Sequence, residues 1–414
     1  MRVLFVCYGG GHIEMCLPVI RALREREREP ACDVRLMALT TAFGAAQRAG
    51  ESPLGYRDFC DGPQGQRALR YGEMLLSGNE HPDVSREESL AYLGSNFLEW
   101  VDQAGEAAAM QRWREVGRQG FLPVGFFKRL LARLEPDVVV ATNSPRSEQA
   151  AVAAAAALGI PSLTMLDLFA LPGDPFGARK VHADRVTVIS EAARENLVKA
   201  GVPPARIFVT GNPAFDVLAG AQAAAEGAAW RRSRGWDDRC VVLWAGHREP
   251  LDAQPAHWAG SGLGQAVQDR LVQWVASRDD VCLAVRYHPN EWHEFQAPAG
   301  HPRVHWSRPD QESLLPVLTA SSQVVVQATT VGAQAYTAGK QVVSLGFSPL
   351  VRRTGMDYAA LGMARRADDL ESMVSLLAAG VSRAAAPMLP VGAGRAADAV
   401  AGHIAALAGR KETS

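Results

Sequence analysis

Short apolar runs alternate along the chain with segments in which apolar residues recur at helical spacing. Strand-like runs occupy 2–7 (RVLFVC), 137–142 (DVVVAT), 240–244 (CVVLW) and 281–286 (VCLAVR). Between the first two runs, residues 127, 130, 131 and 134 have the i, i+3, i+4, i+7 spacing of an amphipathic helix. Strands that alternate with helices are typical of parallel sheets with crossover helices, so we predict an α/β fold built from doubly wound, Rossmann-like domains.

This alternation occurs twice, which predicts two domains in the 414 residues. We expect Rossmann-like domains at 1–212 and 238–395. A stretch rich in Ala, Gly and Arg predicts a linker at 213–237, and a last helix within 396–414 is expected to pack back on the N-terminal domain. Ligands of such sheets bind beyond the carboxyl ends of the strands, so we expect the two domains to face each other across a cleft that holds the site.

Composition removes several classes of function. Forty-three Lys and Arg against 44 Asp and Glu give a formal net charge of −1, which disfavours a nucleic-acid-binding protein. The longest apolar run, 150–160, is short for a membrane span, and the first residues lack a secretory signal. Six scattered cysteines without a C-x-x-C pair indicate reduced thiols in the cytoplasm rather than zinc or disulfides. The basic, aromatic segment 126–133 leaves open either peripheral contact with the inner face of the cytoplasmic membrane or packing on its own sheet.

A glycine loop and a histidine follow the first strand. Gly10 and Gly11 would let the backbone approach a ligand, and the helix that begins there would add positive potential. His12 is predicted to be a catalytic general base, because its unperturbed pKa of about 6.5 suits proton transfer near neutral pH. Asp167, which follows another strand, could orient His12. The structural alternatives are that the glycines only form a tight turn, that His12 caps the helix and that Asp167 caps a loop.

Three polar clusters follow strands of the second half, where they would share one edge of the sheet. The candidate donor-binding residues in these clusters are Gly246, His247, Arg248, His288, Thr329, Thr330, Gly332 and Gln334. Imidazole, guanidinium and hydroxyl groups at strand ends can hold a pyrophosphate without a metal. Each residue alone could instead be structural, as a backbone cap, a strand end or a helix N-cap.

In the first half, Asn143 and Arg146 follow the strand at 137–142 and could bind an acceptor. The chain has no G-x-S-x-G elbow, no P-loop and no H-E-x-x-H. An obvious Asp-x-Asp motif is also absent, so we predict no metal and no cofactor.

The segment 184–216 resembles the one that closes the N-terminal domain in hydrolysing UDP-N-acetylglucosamine 2-epimerases. The Gly-His-Arg at 246–248, the His-Pro-Asn at 288–290 and the stretch 322–339 follow in that family's order. The loop at 9–12 is closer to the glycine loop and histidine of GT-B glycosyltransferases, including the peptidoglycan N-acetylglucosaminyl transferase. Both resemblances imply a GT-B architecture of two Rossmann-like domains.

The chain departs from the epimerase pattern at its acidic positions. Thr142, Asn143 and Ser144 replace the family's Gly-Asp segment, and Asp167 is the nearest acid to an expected glutamate. The carboxylate that the family uses for ribose hydroxyls is replaced by Ala333 or Gln334. Of the family's catalytic set, the sequence retains His247. These departures favour a transferase and leave a CMP-linked donor open beside a UDP-linked one.

We therefore predict a metal-independent, inverting glycosyltransferase in bacterial surface or secreted polysaccharide biosynthesis. It would move a sugar from a nucleotide-sugar on the C-terminal domain to a glycan or glycolipid acceptor on the N-terminal domain. Two alternatives stay open: a nucleotide-sugar 2-epimerase or hydrolase, and a non-catalytic nucleotide-sugar-binding partner protein. We expect a cytoplasmic monomer or homodimer.

Overall fold

The computed structural model describes residues 1–26, 32–78, 84–298, 300–381, 390 and 392–409. The chain forms two compact units. The first contains Met1–Ala214 and the chain from Arg395 onward, and the second contains Phe215–Gly394. Each unit has a six-stranded parallel sheet with helices, so the predicted α/β class of two doubly wound domains is confirmed.

The sheet of the first unit has the strand order β2-β1-β3-β4-β5-β6. Its strands are β1 (Arg2–Tyr8), β2 (Asp33–Leu39), β3 (Val138–Ala141), β4 (Ser162–Met165), β5 (Arg185–Val188) and β6 (Ile207–Val209). Strands β3 and β4 are buried along their whole length, and β3 is a continuous apolar run, as expected for a strand covered on both faces. The strand order reverses between β1 and β3, and ligands of doubly wound sheets bind at such a point.

The sheet of the second unit has the strand order β12-β11-β10-β7-β8-β9, so its order reverses between β7 and β10. Its strands are β7 (Cys240–Gly246), β8 (Val281–Tyr287), β9 (Val304–Trp306), β10 (Gln323–Val326), β11 (Gln341–Leu345) and β12 (Arg365–Ala367). All residues of β7 and β8 are buried. The loops after β7 and β10 therefore flank the position at which a ligand is expected.

Helices cover both sheets. In the first unit they are α1 (Gly9–Arg26), α2 (Thr41–Arg48), α3 (Gly62–Leu76), α4 (Arg86–Ala104), α5 (Glu106–Val116), α6 (Val124–Leu134), α7 (Ser147–Ala157), α8 (Glu191–Lys199) and α15 (Ala396–Ala408). In the second unit they are α9 (Ala221–Arg232), α10 (Gly262–Ala276), α11 (Leu314–Ala320), α12 (Val331–Thr337), α13 (Pro349–Thr354) and α14 (Leu370–Ala379).

The predicted linker and the predicted C-terminal helix both pack against the rest of a unit. The stretch 213–237, predicted as a linker, contains helix α9, which lies against α11. A Cβ at Gly227 would lie 2.7 Å from the backbone nitrogen of Ala320, so this crossing requires glycine. Helix α15 packs on α1 in the core of the first unit, where Val400 and Ile404 are buried. The end of the predicted C-terminal segment, 410–414, lies outside the described residues.

The basic, aromatic segment forms helix α6. Phe126, Phe127, Leu130 and Leu131 are buried in the core beside α7, so the two aromatic rings face the protein's own sheet. Within the described ranges, no helix is both long and apolar enough to cross a membrane. Contact with a membrane surface stays a prediction.

Candidate active site

Four side chains meet at the carboxyl ends of β1, β3 and β4, and we call them the His12 cluster: His12, Thr142, Glu148 and Asp167. His12 lies in the first turn of α1, directly after β1, and Thr142 follows β3. Glu148 lies in the first turn of α7, and Asp167 lies two residues beyond β4. The parallel register brings these strand ends to one edge of the sheet, beside the reversal of strand order.

Both ring nitrogens of His12 face oxygen atoms. Nδ1 lies 2.9 Å from Thr142 Oγ1, which donates a 3.0 Å hydrogen bond to Glu148 Oε1. Nε2 lies 3.5 Å from Asp167 Oδ2. The Glu148 side chain is 0% exposed, and its second carboxylate oxygen has no hydrogen-bond partner within the described part of the chain. That oxygen can therefore accept a hydrogen bond from a bound molecule.

The charges of neighbouring side chains determine the pKa values of His12 and Asp167. Burial lowers the pKa of His12, but hydrogen bonds and charge from Asp167 and Glu148 outweigh it and raise the pKa to about 10. Burial raises the pKa of Asp167, whereas the imidazolium of His12 and a hydrogen bond from Asn143 bring it below its ordinary value. His12 is therefore an imidazolium at neutral pH and lacks the lone pair of a general base. Asp167 is ionised beside it, so the two side chains form an ion pair, and their predicted catalytic roles stay predictions.

The glycine loop lies at the start of α1. Gly9 has a φ of 78°, which favours glycine, whereas Gly10 and Gly11 are exposed in the first helical turn. A Cβ at Gly11 would meet no atom within 4 Å, so the space beside this turn is open. The predicted ligand contacts of Gly10 and Gly11 stay predictions.

The two residues predicted to bind an acceptor substrate, Asn143 and Arg146, have different surroundings. Asn143 donates a 2.9 Å hydrogen bond to Asp167 Oδ1, and its carbonyl accepts from Arg179. Arg146 instead donates to Gln119 and lies over the ring of Tyr8. Asn143 therefore belongs beside the His12 cluster, and Arg146 points to the helical insertion before β3.

Two charged groups near the His12 cluster were not singled out by sequence reasoning. Glu148 lies in an alanine-rich helix. Its position in the first helical turn after β3 is the one sequence feature that could have indicated a site residue. Arg179 lies in the irregular crossover between β4 and β5, where no sequence pattern indicates its direction. Burial lowers the pKa of Arg179 to about 10, so it remains a cation at neutral pH.

In the second unit, three side chains form the His247 cluster: His247, His288 and Glu291. The register pairs Gly246 with Tyr287, so His247 and His288 follow neighbouring strands side by side, with ring centroids 4.9 Å apart. His247 Nδ1 lies 2.9 Å from Glu291 Oε2. Arg248 donates from its backbone to Glu291 and from its side chain to Glu294. The structure thus brings together three of the predicted donor-binding residues, His247, Arg248 and His288.

Behind His247, a buried relay fixes the loop after β7. The backbone nitrogen of His247 donates a 2.7 Å hydrogen bond to Gln327 Oε1, and Gln327 Nε2 donates to Glu249. The Glu249 carboxylate also accepts from the Ser348 hydroxyl and from the backbone nitrogen of Leu350. Glu249 is 2% exposed, so the three loops that follow β7, β10 and β11 depend on one buried carboxylate.

The remaining donor candidates have mixed surroundings. A Cβ at Gly246 would lie 2.4 Å from the Tyr287 ring, and a Cβ at Gly332 would lie 2.3 Å from the Tyr358 ring, so both glycines are required by packing. The Tyr358 hydroxyl donates to the Thr329 carbonyl at 2.6 Å.

Thr330 is exposed, and its hydroxyl makes no cap hydrogen bond. The Gln334 Oε1 is buried without a partner among the described residues. The predicted ligand contacts of Thr330 and Gln334 stay predictions.

Comparison with known proteins now defines the family. The sequence profile of the UDP-N-acetylglucosamine 2-epimerase family matches residues 180–404, and that of Glycosyltransferase Family 4 matches residues 103–214. The first match covers more than half of the chain, so the chain belongs to the UDP-N-acetylglucosamine 2-epimerase family. No curated protein sequence matches it.

Solved structures with the same fold have low sequence identity. A Listeria monocytogenes protein provisionally named a UDP-N-acetylglucosamine 2-epimerase is 17% identical, with a TM-score of 0.63 over 100% of this chain and 97% of its own. The Neisseria meningitidis UDP-GlcNAc 2-epimerase bound to UDP-GlcNAc is 13% identical, with a TM-score of 0.58 over 98% and 100%. S. aureus MnaA, in a co-structure with UDP, is 13% identical, with a TM-score of 0.56 over 97% and 95%.

These matches confirm the GT-B fold and the resemblance of the C-terminal half to the epimerases. The family match overturns the predicted glycosyltransferase function, because the UDP-N-acetylglucosamine 2-epimerase profile spans 180–404, more than half of the chain. The prediction was wrong because it gave the departures from the family's acidic positions more weight than the resemblance of the C-terminal half to the epimerases.

Proposed function

We propose that this protein is an epimerase that inverts carbon 2 of a UDP-linked N-acetylhexosamine, with UDP-GlcNAc as the substrate to test. The observation that carries the proposal is the family match over 180–404. The His12 cluster supports it, because it supplies two carboxylates and a cation where the sequence alone suggested that acidic groups were missing.

The proposed chemistry requires proton transfer. Inversion at carbon 2 breaks its C–H bond, and because no carbonyl activates this carbon, the electron pair would form a double bond to carbon 1 as the bond from carbon 1 to UDP breaks. Return of a proton to the opposite face of carbon 2, with addition of UDP or water at carbon 1, would complete the inversion, so groups must accept and return a proton. Asp167 is ionised and partly exposed, which suits a proton acceptor. The imidazolium of His12 would stabilise negative charge that develops on the substrate.

The second unit would bind the nucleotide. Arg248 and the two imidazoles of the His247 cluster can contact the diphosphate, because charge-assisted hydrogen bonds are the strong ones. The unpartnered Gln334 Oε1 can accept a hydrogen bond from a ribose hydroxyl, in place of the family's carboxylate. The loop at Thr329 and Thr330 offers hydroxyl groups to the same ligand.

Incubation with UDP-GlcNAc alone tests the proposal. Phosphorus and proton NMR should show conversion to the C2 epimer, either still linked to UDP or released as free sugar with UDP. The two outcomes separate a simple epimerase from a hydrolysing one. Tight binding of UDP-GlcNAc without any turnover would contradict the proposal and favour a non-catalytic nucleotide-sugar-binding protein.

A further inference from the structure

The His247 cluster places three potential metal ligands close together. One ligand atom from each of His247, His288 and Glu291 lies within 4.8 Å of the other two. The sheet fixes this arrangement, because the two histidines follow paired residues of β7 and β8. Glu291 is held one turn after His288, since its backbone nitrogen donates a 2.9 Å hydrogen bond to the His288 carbonyl.

The donor set is that of zinc and similar divalent transition metals. Two imidazole nitrogens and one carboxylate oxygen leave the fourth tetrahedral position for water. Ligands at about 2.0–2.2 Å from a tetrahedral zinc ion lie roughly 3.4 Å from each other, so small side-chain rotations suffice. His247 is 23% exposed and Glu291 is 11% exposed, which keeps the cluster within reach of ions in solution.

Hydrogen bonding leaves these groups available. His247 Nδ1 is buried and makes no hydrogen bond, although Glu291 Oε2 lies only 2.9 Å away, because the contact is poorly aligned. His288 Nδ1 accepts one long hydrogen bond of 3.3 Å, from the Asn290 backbone nitrogen. The imidazole nitrogens therefore make only long or poorly aligned contacts, whereas Glu291 Oε2 accepts a 3.0 Å hydrogen bond from the Arg248 backbone nitrogen and would share this oxygen with a metal ion.

The charges around the cluster permit a cation. Arg248 faces Glu291 at 3.7 Å, but its guanidinium also pairs with Glu294 at 2.8 Å. Two carboxylates thus surround one guanidinium, and a divalent ion would add to a locally acidic site.

We propose that His247, His288 and Glu291 form a binding site for a divalent transition metal ion of the zinc class. The site belongs to the second unit alone and does not depend on the proposed epimerase activity. A bound ion would engage the His247 imidazole and keep it from contacting a substrate phosphate.

Metal titration of the full chain, purified without a polyhistidine tag and treated with a chelator, tests this site. Calorimetry with zinc should show one ion per chain. Cobalt should give the visible absorption of a low-coordinate site, and zinc should abolish it. His288→Ala and Glu291→Gln should each weaken zinc binding by at least about 100-fold, which exceeds the losses typical of residues behind a metal ligand.

The neighbouring exposed histidine provides the matched control. His293→Ala should bind zinc as the wild type does. If His288→Ala fails to fold, two imidazole N–H signals shifted by cobalt in the NMR spectrum of the wild type would support the site. Absence of zinc binding to the wild type, or equal affinity in folded His288→Ala, would overturn the proposal.

Discussion

In both units, polar side chains lie at the carboxyl ends of central strands, but the residues around them act in different ways. In the first unit, His12 is flanked by two carboxylates and carries a proton. In the second, His247 is fixed through its backbone by Gln327, behind which Glu249 is buried. The first arrangement sets the charge of a side chain, and the second sets the position of a loop. Under the proposed function, we expect the first unit to carry proton transfer and the second to carry ligand binding.

The largest expected effect is on proton transfer at the His12 cluster. Asp167→Asn keeps the shape of the side chain but removes the proton acceptor, so we expect kcat with UDP-GlcNAc to fall by about 10²–10⁴. Steady-state kinetics measures this change. The exposed Asp102, which pairs with Arg67, gives the matched control Asp102→Asn. A loss of less than threefold in Asp167→Asn would remove the first unit's assigned role.

A smaller effect should follow from loosening the relay behind His247. Glu249→Gln removes the buried carboxylate that accepts hydrogen bonds from Gln327, Ser348 and Leu350. Displacement of the loop after β7 by about 1 Å would then lower kcat on the order of 10²-fold. Kinetics would be measured on protein whose melting temperature stays near that of the wild type. Glu226→Gln, on the surface of α9, should leave kcat unchanged. Equal kcat in folded Glu249→Gln and wild type would show that the relay is only structural.

The side chain of Gln334 gives a test of binding alone. If its unpartnered Oε1 accepts from the ribose, Gln334→Ala should raise KM for UDP-GlcNAc by up to about 10-fold with little change in kcat, the usual size for one hydrogen bond. Gln222→Ala, an exposed glutamine on α9, is the control. A fall in kcat at constant KM would contradict a pure binding role.

The last prediction concerns stability and its dependence on pH rather than kinetics. His12 has a raised pKa in the folded state, so its stabilisation is complete below about pH 6.5 and is lost as pH rises toward 10. The free energy of unfolding of wild type minus that of His12→Gln should therefore shrink between pH 6 and pH 10. Urea unfolding should detect it, because each unit of pKa shift corresponds to about 1.4 kcal/mol. A difference that grows with pH would mean that His12 is neutral.

The sequence predicted the sheets better than the helices of the insertion before β3. Some strands of the two cores are continuous apolar runs, as at Val138–Ala141, and such runs have few alternative structures. Helices α3 and α4 instead meet through glycines, where a Cβ at Gly94 would lie 1.8 Å from the Ala68 carbonyl oxygen. A close approach between two helices leaves no periodic signal, so the pattern of this region was difficult to interpret.

The candidate site could be predicted only in part, for a related reason. Residues that directly follow strands, such as His12, His247 and His288, could be found because parallel strands deliver them to one edge. Glu148 and the crossover residue Arg179 reach the His12 cluster through tertiary packing. The protonation of His12 depends on those neighbours, so its role could not be assigned before the carboxylates were located.

Deuterium incorporation tests the central claim most directly. With UDP-GlcNAc as the sole substrate in D₂O, proton NMR and mass spectrometry would follow carbon 2 of the sugar. We expect the product to be the C2 epimer with one solvent-derived deuterium at that carbon, and Asp167→Asn to abolish it at equal enzyme concentration. Unchanged UDP-GlcNAc, or hydrolysis that leaves carbon 2 protiated and uninverted, would contradict the account.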